Sequence, residues 1–164
     1  MRWIVGVFLT LAATVAVEAQ EASPEWLARQ RLPDWVQEAV VRPGFEQRYT
    51  FDLQMNPFVL QGDFDRDGRQ DAAIWVRDRR SDQAGIAIVR RAGATLAVIG
   101  AGTDLLGTGA YDFSRMDIWR VVAAADYPKA GIRSGDLLYV EKSESAGGLI
   151  SWDGTQYRWT QFGD

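Results

Sequence analysis

Apolar residues change their spacing partway along this chain. Trp26, Leu27, Trp35, Val36, Ala39 and Val40 recur at helical intervals, and punctuation frames them. Ser23-Pro24-Glu25 supplies an N-cap, a proline for the first turn and an acid at the positive end of the helix dipole. Pro33 breaks the run, Pro33-Asp34 restarts it, and Pro43-Gly44 stops it. Residues 20–43 are therefore expected to form one or two short helices packed on the main body.

From Tyr49 the texture becomes short apolar or alternating runs separated by Gly, Asn and Asp. It predicts strands over 49–53, 58–60, 71–76, 85–89, 95–99, 118–122, 136–140, 148–152 and 156–160. Ala72-Ala73-Ile74-Trp75-Val76 is apolar at every position, which marks a central strand buried on both faces. Trp152-Asp153-Gly154 followed by Tyr157 and Trp159 is the clearest hairpin, with Asp-Gly as its turn. The expected fold is mainly β, an antiparallel meander of hairpins arranged as a blade or a sandwich, with a short N-terminal helical segment. The stretch 124–134, with Pro128 and Gly131, is the one candidate boundary, but the strands on either side are too few for two independent cores.

The first residues follow a different logic. Met1-Arg2, an apolar run over 3–17 and then Glu18-Ala19 have the form of a secretory signal, with cleavage expected after Ala19. The run falls short of the ~20 residues that span a bilayer. The expected organisation is a signal peptide over 1–19 and a single β-rich domain over 20–164. The product would be periplasmic or extracellular, with no stable membrane anchor once the signal is cut. The chain has 164 residues, no cysteine, no histidine and a formal charge of -4. Without cysteine no disulfide supports the fold, so burial, and an ion where one binds, must do so. The modest negative charge gives no case for nucleic acid as a partner.

Chemistry concentrates in Asp63-Phe64-Asp65-Arg66-Asp67-Gly68-Arg69-Gln70-Asp71. Asp63, Asp65 and Asp67 stand two residues apart, so a tightly curled loop aims all three inward. Gly68 permits the sharp turn that points the Arg69 carbonyl at the same centre, and Asp71 closes the shell. Aspartates also cap ordinary turns, but four at this register would repel one another unless a divalent cation neutralised them. A flexible cage of carboxylates and one carbonyl suits Ca2+ better than Mg2+, and zinc lacks its usual ligands. The helix–loop–helix calcium site would need a glutamate where Ile74 stands.

Residues 62–73 resemble the calcium loop of FG-GAP and VCBS-type repeats, which form blades of β-propellers. The resemblance covers 58–99 best and implies a structural ion that ties hairpin ends together. The chain holds one copy of the loop, whereas a propeller needs several blades. Glu141 to Ser145 and Trp152 to Trp159 are similar to segments of small secreted bacterial proteins with one such loop.

The absence of histidine and cysteine excludes Ser-His-Asp and Cys-His catalysis. A carboxylate pair survives as the alternative, drawn from Asp117, Glu141, Glu144 and Asp153, although no spacing singles out a pair. Gly100-Ala101-Gly102 lacks the strand–turn–helix context of a nucleotide fingerprint, and Arg77, Arg79 and Arg80 read as a solvated hairpin tip. Trp119, Trp152, Tyr157 and Trp159 either fill the core or form a platform for a sugar or peptide. The leading expectation is a non-enzymatic module stabilised by one structural Ca2+, mediating protein or surface interactions with a protein or glycan partner. The competing one is a carbohydrate-binding module or a small glycan-acting hydrolase.

Overall fold

A computed structural model describes residues 23–92, 95–104, 106, 107, 109 and 111–162. The expected signal segment, with its expected cleavage after Ala19, lies outside the described residues. Three short helices lead the described residues: α1 (Pro24–Arg29), α2 (Asp34–Val40) and α3 (Phe45–Arg48). The Ser23 hydroxyl accepts the Trp26 N–H at 3.2 Å, the cap the sequence called for. Helix α3 was not expected. Gly44, at φ 100°, turns the chain so that Phe45 can enter the core, and one further helical turn follows.

Nine strands follow among the described residues, each overlapping a predicted run. They form two antiparallel sheets. In the first, β3 (Asp71–Asp78) pairs on one side with both β1 (Tyr49–Phe51) and β2 (Val59–Gly62). On its other side lie β4 (Ala84–Arg90) and then β5 (Thr95–Gly100). The second sheet is a plain meander of β6 (Ile118–Ala123), β7 (Asp136–Glu141), β8 (Gly147–Trp152) and β9 (Tyr157–Phe162). The chain passes from one sheet to the other through 101–117. The stretch 124–134 instead joins β6 to β7 and carries two 3-10 turns.

Strand periodicity sorts the core into layers. Ala72, Ile74 and Val76 of β3 and Ala87 and Val89 of β4 face Ala28, Leu32, Val36, Ala39 and Val40 from the helices. The residues between them, Ala73, Trp75, Ile86 and Ile88, face Trp119, Leu138, Val140, Ile150 and Tyr157 of the second sheet. Leu137, Tyr139 and Leu149 point the other way, under Ala124 and Ile132 of the β6–β7 connection. Both sheets are thus covered on both faces, which is why β3 and β4 read as continuous apolar runs. Trp75 and Trp119 meet edge to face at 5.1 Å across the sheets, and the Trp119 indole N–H donates to the Pro57 carbonyl at 2.7 Å. Gly148 has to be glycine, because a Cβ there would run into the Trp159 ring. No described helix is long and apolar enough to cross a membrane.

Candidate metal centre

The acidic loop is the β2–β3 connection, and its aspartates are held by backbone N–H groups. The Asp63 carboxylate accepts from Gly68 at 3.2 Å, Asp65 from Asp67 at 3.2 Å, and Asp67 from Arg69 at 2.8 Å. These bonds curl the loop, with Gly68 at φ 81° making the turn. Asp71, the first residue of β3, is fully buried. One of its oxygens accepts from Phe64 at 3.0 Å and Asp65 at 3.1 Å, and the other accepts from Arg91 at 2.9 Å. Asp71 is therefore the post around which the loop winds.

Carboxylate oxygens of Asp63, Asp65 and Asp71 all lie within 4.8 Å of one another. The fold thus assembles three of the four predicted acidic ligands. Asp67 is exposed and outside this triad, and Arg69 is exposed as well. The triad is electrostatically unsettled. Burial pushes the Asp71 carboxyl up to about 6, against the pull of its N–H donors. Burial also raises Asp65, with the charges of Asp67 and Asp63 adding to it. Among the described residues, Asp63 Oδ1, Arg90 Nε and the Tyr157 hydroxyl are buried side-chain polar atoms with no hydrogen-bond partner. Buried polar atoms ordinarily find one, so an orphaned oxygen inside a carboxylate cluster fits a cation. Oxygen-only donors, three of them carboxylates, suit a hard ion of Ca2+ type.

Sequence reading missed the residue that ties this loop to the other sheet. Asp136, at the start of β7, accepts the Asp63 N–H at 2.8 Å, and its own N–H donates to the Asp63 carbonyl at 3.0 Å. Beside it, Gly135 at φ 80° lies under the Arg66 side chain. Asp136 is 73 residues from Asp63, and no local pattern joins them.

Three of the four other candidate carboxylates are engaged in side-chain or backbone bonds, and the fourth, Glu144, is exposed. The Asp117 carboxylate accepts from Lys142 and Ser143. The Asp153 carboxylate accepts from Thr155, Gln156 and Arg158, and Glu141 accepts from the Tyr139 hydroxyl at 2.7 Å. Of the four aromatic residues, Trp119 and Tyr157 are buried and Trp152 and Trp159 half-buried, all on the core between the sheets. Trp152 is covered by the Arg90 guanidinium, 4.7 Å from its ring centre. Arg77 is no solvated tip residue, since its guanidinium grips the buried Asp52 at 2.6 Å. Compared with protein-family models, with curated proteins and with solved structures, the chain matches none of them.

Proposed function

We propose that this chain is an exported, non-enzymatic module whose two sheets are fastened by one structural Ca2+, and that it serves protein or surface interactions. The observation that carries the proposal is the carboxylate triad Asp63, Asp65 and Asp71, with its oxygens within 4.8 Å and Asp63 Oδ1 buried without a partner. Three carboxylates so close repel one another, and a divalent cation turns that repulsion into attraction. The ion's role is structural because the loop is bonded to both sheets: through Asp71 to Arg91 beyond β4, and through Asp63 to Asp136 on β7. Support for an interaction role comes from Trp26, Leu27 and Leu53, large apolar side chains exposed by 52%, 50% and 41%.

Calcium titration of chelator-treated protein, followed by calorimetry and by thermal unfolding, tests this. The expected affinity is on the order of 10⁻⁴ to 10⁻³ M, typical of extracellular modules, with a melting temperature that rises with calcium and falls in chelator. Protein purified without chelator that carries no metal by elemental analysis, and melts alike with and without calcium, would overturn it.

A further inference from the structure

Within the acidic loop, Arg66 holds a backbone conformation that its own side chain opposes. Its φ of 65° is left-handed, costly for any residue but glycine, and such strain persists where a side chain is put to use. That side chain leaves the loop and crosses to the second sheet. Its Cγ lies over Gly135, where a Cβ would collide with it, and its Nη2 stands 3.9 Å from where a Cβ of Gly154 would be. No hydrogen bond or ion pair joins its guanidinium to another described residue.

There Arg66 closes a cavity of about 340 Å3. Ser151, Arg158 and Thr160 line its floor, and Ala130, Gly131 and Ile132 of the β6–β7 connection line its side. Strand alternation explains the floor. Ser151 pairs with Arg158 and Leu149 with Thr160, so these side chains share the face of Leu149, away from the core between the sheets. Ser151 is only 3% exposed, yet its hydroxyl bonds no other described residue. Buried hydroxyls ordinarily have a partner, so this one brings an unused donor and acceptor to the cavity. Arg158 is committed elsewhere, donating to the Asp153 carboxylate at 2.7 Å. That carboxylate also accepts from Thr155 and Gln156, so it is held within the hairpin turn. Arg66 is left as the cavity's excess positive charge, on a chain of net charge -4.

We propose that this cavity binds a sugar acid, with the Arg66 guanidinium on its carboxylate and the Ser151 and Thr160 hydroxyls on its ring hydroxyls. A guanidinium matches a carboxylate with two parallel N–H bonds. One excess charge suits a single carboxylate, whereas a doubly charged phosphate would meet repulsion from Asp153 in the wall. Two side-chain hydroxyls supply the donors and acceptors that a polyhydroxylated ring needs. The volume lies at the small end of ligand sites, room for one monosaccharide unit. This goes beyond the structural ion and survives its failure, because the loop's own N–H bonds place Arg66.

The test is calorimetric titration of the wild type, Arg66→Gly and Ser151→Ala with galacturonate, galactose and inorganic phosphate, with calcium present throughout. The wild type should bind galacturonate about tenfold tighter than galactose or phosphate. Arg66→Gly should weaken galacturonate binding about tenfold and melt at the same temperature or higher, since glycine takes this φ freely. Ser151→Ala, outside the loop, should weaken it severalfold without lowering the melting temperature, because the lost hydroxyl bonds nothing in the free protein. A wild type that does not bind galacturonate overturns the proposal, and so does one that binds phosphate or galactose as tightly. Galacturonate affinity equal to that of the wild type in either folded variant overturns it as well.

Discussion

Asp71→Asn separates a carboxylate kept for an ion from one kept for the fold, because the two roles predict opposite results. The side chain is fully buried and accepts three backbone N–H groups. Asparagine keeps one oxygen, enough for Phe64 and Asp65, but turns its amide toward the Arg91 N–H. A donor facing a donor costs about 1–3 kcal/mol. Against that stands the charge. The carboxyl sits at about 6 in the folded chain and at 3.8 when unperturbed, so the folded state holds a proton that the unfolded state has released. The Asp71 contribution to stability is therefore greatest below pH 3.8 and is lost as pH rises through 6. At pH 7 the ion-free protein bears the whole cost, about 3 kcal/mol at 1.36 kcal/mol per pKa unit, and asparagine relieves it. The balance lies between no change and a gain of about 2 kcal/mol. With 10 mM calcium the difference shifts toward the wild type. A dissociation constant of 10⁻⁴ to 10⁻³ M gives the wild type about 1.4–2.7 kcal/mol, roughly 3–11 °C in melting temperature, which the variant lacks. Thermal unfolding of both proteins at pH 7, in chelator and in calcium, reads this directly. The reasoning fails if asparagine lowers the melting temperature by the same amount in both conditions.

Three further outcomes are expected. Calcium affinity should weaken about tenfold from pH 7.5 to pH 5, because a carboxyl at about 6 must lose its proton to bind; calorimetry at the two values checks it, and equal affinities would exclude Asp71 as a ligand. Asp136→Ala removes the acceptor of the Asp63 N–H and should cost about 1–3 kcal/mol in urea unfolding. It should also weaken calcium binding, and an unchanged midpoint would show that the latch between the sheets contributes nothing. Gly148→Ala forces Trp159 off the β8 backbone and should destabilise by about 1–3 kcal/mol, with a red shift of tryptophan emission.

Local rules account for what was legible. The Ser23 cap, the all-apolar β3 and the Asp153-Gly154 hairpin each depend on residues within a few positions of one another, and such dependence is written in sequence. The acidic loop belongs here too, since its curl comes from N–H bonds spanning two to seven residues. Helix α3 escaped notice because a four-residue turn carries almost no periodicity.

Residue order by itself thus determined the elements, the β-rich class and the gathering of aspartates in one turn. Tertiary structure alone decided how the strands divide into two sheets and which aspartates converge. It also brought Asp136 to the loop from 73 positions beyond Asp63. The reason is physical: hydrogen-bond geometry and side-chain periodicity act along the chain. Burial of a two-sided apolar strand is satisfied by any complementary face, and only the completed packing fixes which face that is.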